Sequence, residues 1–336
     1  MRHICLTLAL VAAPVVALAD TRDDKIESIV AGHILPRFEA LADGADALSV
    51  AAQQDCDPAS APLKAAYGTA FDAWISASHL RFGPTEVDDR AFALAFWPDS
   101  RGATPRALNA LLADQDPIAA SAQGYAQVSI AARGFYALEF LLFDDALSAE
   151  SDARYHCQLV RTISADIAAT SRSIQDDWTA SYATVMLTPA PDGVYRSDAE
   201  VLQEMFKALS TGLQFTSESR LGRPLGTFDR PRPARAEARR SGRSAAHVAL
   251  SLRSLRDLAA RLAEGDMSNR LDARFDHALS LLAALDDPTF ATVAAPQTRL
   301  KIEIIQQSVD AIRAAVRDDL GPTLGVAAGF NALDGD

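Results

Sequence analysis

Gly134-Phe135-Tyr136-Ala137-Leu138-Glu139-Phe140-Leu141-Leu142-Phe143 holds one charge in ten residues, and its apolar side chains would circle an α-helix. A helix that is apolar on every side is buried on every side, so this segment predicts an interior helix with Glu139 drawn into the core. Just upstream, Val128 and Ala131 lead into Phe135, Leu138 and Leu142 by steps of three and four, the spacing of one helical face. The pattern predicts a helix over 118–143.

The same period recurs outward from this segment. Val248, Leu252, Leu255, Leu258 and Leu262 share a face, as do Ile302, Ile305, Val309, Ile312 and Val316. Further helices are predicted over 22–53, 60–81, 152–182, 197–219, 243–264, 267–285 and 297–319. Alternating Val/Ile/Thr runs that would signal strands are missing. Turn formers separate the helical stretches, as in Asp55-Cys56-Asp57-Pro58, Phe82-Gly83-Pro84 and Pro189-Ala190-Pro191-Asp192-Gly193. With four predicted helices on either side, Gly193 marks the expected subdomain boundary. The expected fold is all-α: two packed four-helix-bundle subdomains, 20–192 and 193–336.

The ends and the composition bear on compartment. Met1-Arg2-His3 is a short positive start, Ile4 to Leu18 is apolar and uncharged, and Ala17-Leu18-Ala19 is a small-x-small cleavage pattern. Residues 1–19 therefore read as a signal peptide, with Asp20 opening a soluble periplasmic chain. No cysteine follows Ala19 directly, so no lipid anchor is expected. Loss of Arg2 leaves 31 Lys and Arg against 44 Asp and Glu, a net charge of −13, which argues against nucleic acid as a partner. Of three cysteines only Cys56 and Cys157 survive maturation. An oxidising compartment would join them, and two buried free thiols are the alternative.

Chemistry is not concentrated in any local motif. The chain lacks H-E-x-x-H, G-x-S-x-G, the Walker loop and G-x-G-x-x-G, and His33, His79, His156, His247 and His277 show no helical pairing. Glu139 is the informative exception, because a buried carboxylate must be paired, bind a cation or take up a proton. Its own helix supplies no cation one turn away, so its partner is either an arginine from another helix or a ligand. Tyr136, three residues earlier, shares its side of the helix. Arg230, Arg232, Arg235, Arg239, Arg240 and Arg243 cluster around a single acid, Glu237, with Arg220 and Arg223 just upstream. This run reads either as a solvated loop or as guanidiniums turned inward to meet carboxylates. Ser241 and Ser244 bracket an expected helix start, where one should cap it. Trp74, His79 and Arg81 form a third cluster at a helix end, and Phe96-Trp97-Pro98-Asp99 reads as an aromatic plug without chemistry.

Together these residues resemble the imelysin family, also called the insulin-cleaving membrane protease family. The family hallmark G-x-H-x-x-E followed by apolar residues is matched by Gly134, Glu139 and Phe140 to Phe143. Trp74 and Arg240-Ser241-Gly242-Arg243-Ser244 look like further landmarks. The resemblance implies two helical bundles, export, a link to iron uptake and a ligand cleft lined by Glu139, Tyr136, Trp74, His79, Arg81, Arg240, Ser241, Arg243 and Ser244. It also implies Glu139 and Tyr136 as metal ligands, with iron or another divalent or trivalent ion as cofactor. Implied partners are a metal ion or small ligand and an uptake component of the outer or inner membrane. The histidine position of the motif holds Tyr136 here, so the metallopeptidase label carries over poorly. A periplasmic binding protein is the expected function, with a zinc peptidase or a helical interaction scaffold as alternatives. Export makes a direct prediction: the intact mass of periplasmic material should correspond to a chain beginning at Asp20. A retained Met1 segment or an acylated cysteine would contradict it.

Overall fold

The computed structural model describes residues 16–149 and 152–326, and among them there is no strand. Of the expected signal peptide, residues 1–15 lie outside the described residues. The long helices are α1 (Val16–Ile29), α2 (Leu35–Gln54), α3 (Ala61–Ala77), α4 (Ala103–Asp114), α5 (Gly134–Phe143), α6 (Ala153–Asp177), α7 (Asp198–Gln214), α8 (Ser244–Leu262), α9 (Gly265–Ala283) and α10 (Pro296–Ala315). The chain is thus all-α, as its periodicity predicts. No helix among the described residues is long and apolar enough to cross a membrane.

Local chemistry sets the helix starts. Proline occupies the first turn of α3 and of α10, where its missing N–H costs nothing. At α6 the Asp152 carboxylate accepts from Tyr155 N at 2.9 Å, satisfying one orphan donor of that end. Each helix then buries its apolar face. In α6 this face is Leu159, Ile163, Ile167 and Ile174, all fully buried. Burial of side chains of this size stabilises by roughly 2 kcal/mol each.

Packing follows from those faces. In the first half α2 lies against α3 and α6, and α5 packs on α6. In the second half α8 contacts α7 and α9, and α10 contacts α7 and α9. The halves meet where α3 lies on α8, and where α1 touches both α7 and α8. Phe38, Phe71, Phe135, Trp178, Phe206 and Phe275 all belong to one continuous buried cluster.

The continuous helix expected over 118–143 is broken into short turns at Pro117–Ala120, Ala122–Tyr125 and Ile130–Ala132 before α5 begins. The physical reason is Gly134, which has φ +73°, and a Cβ there would lie 2.1 Å from the Leu94 carbonyl oxygen. Only glycine allows that backbone conformation so close to a crossing chain. Apolar periodicity continues across the break, which is why the break is invisible to it.

Stretches expected to run as regular helices instead pass through π-helical turns. Val30–Ile34 lies between α1 and α2, Trp178–Tyr182 follows α6, and Phe215–Leu221 follows α7. Such turns are rare and recur at functional sites. The first and the last of these carry His33 and Arg220.

Cys56, after α2, and Cys157, in the first turn of α6, form a disulfide with Cα atoms 5.1 Å apart across a sequence separation of 101. The bond ties together two helices that already pack. Thiol labelling under denaturing, non-reducing conditions should find neither cysteine free. The double change Cys56→Ser, Cys157→Ser should lower unfolding free energy by about 3–5 kcal/mol in denaturant titration; an unchanged midpoint would contradict this.

Candidate functional site

A cavity of about 460 Å³ opens where the loop after α3, residues 83–98, α5 and α7 converge. Gly212 of α7 permits this convergence. A Cβ there would approach the Leu255 side chain to 2.6 Å and His79 Cβ to 2.9 Å. Six aromatic rings line the cavity: Trp74, Phe82, Phe92, Trp97, Tyr136 and Phe215. Trp97 stacks on Tyr136 with ring centroids 6.2 Å apart and meets Phe215 edge-on at 5.7 Å.

The floor is a buried ion pair. Arg220, carried by the π-helical turn after α7, donates from Nε to Glu237 Oε2 at 2.8 Å. Its other nitrogens reach Ser251 Oγ and Ser78 Oγ, each at 3.3 Å. The Tyr136 hydroxyl donates to the second carboxylate oxygen, Glu237 Oε1, at 2.5 Å. His247 Nδ1 stands 3.4 Å from Oε2. Burial alone would raise the Glu237 pKa. The Arg220 charge first, then His247 and the hydroxyl of Tyr136, reverse this and hold it at about 2. Tyr136 is pushed well above its ordinary value, first by burial and then by the Glu237 charge, so it stays a neutral phenol.

Beside the floor, Glu139 is buried as its helix predicts, but its partner is neither an arginine nor the cavity. Ser241 N donates to Glu139 Oε1 at 2.9 Å, and Ser241 Oγ lies 2.7 Å from the same oxygen. Burial raises the Glu139 pKa, and these two bonds oppose the rise. Arg240, one residue away, turns instead to Asp144 at 2.9 Å and lies over the Phe140 ring. Arg243 pairs with Asp72, and Ser244 Oγ donates to the Glu237 carbonyl oxygen at 2.5 Å. Neither serine caps α8, whose N-cap is Arg243 without a side-chain bond. Both hydroxyls are committed to holding the loop before α8.

Of the residues expected at a ligand site, the fold brings Tyr136, Trp74, His79 and Arg81 to the cavity. It places Glu139, Arg240, Ser241, Arg243 and Ser244 behind it, in the scaffold that holds Glu237. Tyr136 and Glu139 point to different partners, so the metal pair they were expected to form is not assembled. A cation beside Glu237 would also meet the Arg220 guanidinium already fixed there. Among the described residues no group of three or more His, Cys, Asp or Glu side chains is placed to hold a metal ion. The residues present therefore do not fit a protein-held metal, and no chemical step is routed through one.

Sequence reasoning misses four contributors. Trp97, which reads as a plug, is part of the wall. Glu237 carries a usable signal, as the lone acid of an arginine-rich run. Arg220 is legible only as one of several arginines that could turn inward, and His33 carries no signal; both lie in π-helical turns. His33 Nε2 lies 2.9 Å from His79 Nε2, and its Nδ1 lies 2.7 Å from Asp257.

Glu237→Gln would leave the Arg220 charge buried without its counter-ion and should destabilise the protein by about 3 kcal/mol at pH 7. The Glu237 pKa is depressed from 4.5 to about 2, so the stability it supplies is complete above about pH 4.5 and lost as pH falls toward 2. Denaturant titrations should show wild type and variant converging across that window. A difference that stays constant from pH 6 to 3 would contradict the assignment.

Comparison with known proteins agrees with this architecture. The imelysin family model matches residues 34–316. No curated protein matches the chain. An imelysin-like protein from Psychrobacter arcticum 273-4 is similar in structure, with a TM-score of 0.78 and 22% identity over 93% of this chain and 98% of that one. A putative iron-regulated protein A precursor from Parabacteroides distasonis ATCC 8503 gives 0.74 and 12%, over 90% of this chain and 95% of that one. At these identities the structural likeness speaks for the fold, and the family match covers most of the sequence. The chain belongs to the imelysin family.

Proposed function

We propose that this protein is a non-catalytic binding member of the imelysin family. It acts in the periplasm after loss of residues 1–19 and is linked to iron acquisition. Two bundles, 20–192 and 193–336, would hold a small ligand in the cavity, with Tyr136, Trp74, His79 and Arg81 at its walls. The link to iron is supported by the family and by a structural neighbour whose name describes it as iron-regulated.

One observation carries the preference for binding over peptide hydrolysis. The carboxylate at the cavity floor, Glu237, is bonded on both oxygens, to Arg220 and to Tyr136. A zinc peptidase needs about three protein ligands and a base beside an open coordination position. Glu237 is spent on a fixed cation and Glu139 on Ser241, so neither is available as ligand or base. A cavity that sets polar side chains among aromatic walls is instead the common form of a small-molecule site.

Two measurements test the proposal. Native mass spectrometry of protein taken from the periplasm, under iron-limited and iron-replete growth, should show a bound small molecule or ion in at least one condition. A bare chain in both would count against binding. Casein and insulin chains should remain intact with metal-stripped protein and after addition of ferric, ferrous or zinc ions. Cleavage that zinc restores and that Glu139→Gln abolishes without unfolding would establish the peptidase instead.

A further inference from the structure

Three features of the cavity restrict what it accepts. Its exposed wall is mainly apolar, and Trp74, Trp97 and Phe215 present broad ring surface to a ligand. Its charges cancel locally. Arg81 pairs with Glu86 at 2.6 Å, Lys207 with Glu204 at 3.6 Å, and Arg220 with Glu237 at 2.8 Å. A charged ligand would lose hydration there, and each charged side chain of the lining already has a partner.

The third feature is a chain of hydrogen bonds that fixes the character of His79. The Asp257 carboxylate can only accept, so the 2.7 Å contact requires the hydrogen on His33 Nδ1. Burial pushes the His33 pKa down to about 4, and burial with the neighbouring His33 and Arg37 holds His79 well below its ordinary value. Both rings are therefore neutral at pH 7. Neutral His33 with its hydrogen on Nδ1 has a lone pair on Nε2, so across the 2.9 Å contact His79 is the donor, from Nε2. His79 Nδ1 then carries a lone pair, and no hydrogen-bond partner for it exists among the described residues. His79 is among the residues that line the cavity.

We infer that the cavity binds an uncharged aromatic molecule with one O–H or N–H group, which donates to His79 Nδ1 while its ring lies against Trp74, Trp97 and Phe215. This rests on the reading of the cavity as a ligand site. Asp257 and His33 are positioning residues: they touch no ligand, and they set the tautomer that makes His79 an acceptor. A donor on a neutral ring is preferred because the His79 Nδ1 lone pair is an acceptor with no partner among the described residues.

The test uses the mature full-length protein and four probes of similar size: phenol, toluene, benzoate and benzylamine. Quenching of tryptophan fluorescence reports binding, since Trp74 and Trp97 line the site. Phenol should bind about tenfold more tightly than toluene, the difference expected for one hydrogen bond to an otherwise unpartnered acceptor. Benzoate and benzylamine should both bind more weakly than phenol. His79→Phe should abolish the preference for phenol over toluene. Should that variant fail to fold, nitrogen NMR of the wild-type histidines decides: His79 must carry its hydrogen on Nε2, and its Nδ1 resonance must shift on addition of phenol. Tighter binding of a charged probe, equal binding of phenol and toluene, no binding of any probe, or an Nδ1–H tautomer would each overturn the inference. A bound species in native mass spectrometry together with no affinity for these probes would remove this ligand class and leave the binding function standing.

Discussion

Arg220 and Glu237 place opposite charges inside the protein, and much of the site's geometry follows from the need to satisfy them there. Removing both from water costs several kcal/mol per ion, recovered only if the remaining hydrogen-bonding positions are also filled. Filling them recruits Tyr136 from α5, Ser251 from α8 and Ser78 from the loop after α3. Helices from both halves of the chain must therefore arrive in one arrangement before the pair is stable. Replacing it with apolar groups need not weaken the fold, but it would remove the requirement that α5 and the segment before α8 meet in this register.

Glu139 serves the same junction from the other side. By accepting from the backbone and hydroxyl of Ser241 it anchors the loop that carries Glu237. Ser244 ties the backbone of Glu237 to the start of α8. Glu139 thus acts on the backbone of an arginine-rich loop. Tyr136 extends to the carboxylate that this loop presents. A phenol and a guanidinium on the two oxygens of Glu237 leave the cavity floor neutral and closed.

The π-helical turns give the site its remaining members. An extra residue in a turn rotates the rest of the helix about its axis, so a side chain that regular periodicity would place elsewhere can point inward. His33 lies in the turn between α1 and α2, and Arg220 in the turn after α7. Each is buried and each bonds to a residue at the cavity, His33 to His79 and Arg220 to Glu237. The cavity is consequently aromatic on its walls, balanced in charge, and open to a hydrogen-bond donor at His79.

Several features were legible in the sequence alone. Period-3.6 spacing determined the all-α fold, the apolar circumference of 134–143 determined that Glu139 is buried, and the family landmarks determined membership. Two cysteines outside the expected signal peptide pointed to the disulfide. These are properties of short segments or of compartment, and they do not depend on which helix lies beside which. The partner of Glu139, the inward turn of Arg220 and the place of Trp97 in the wall were decided only by tertiary structure. So was the tautomer of His79. Tyr136 meets Glu237 across 101 residues, and His79 meets His33 across 46. Periodicity reports that a side chain must leave water, but which group meets it there depends on backbone paths such as the positive-φ crossing at Gly134, and these arise only when distant segments pack.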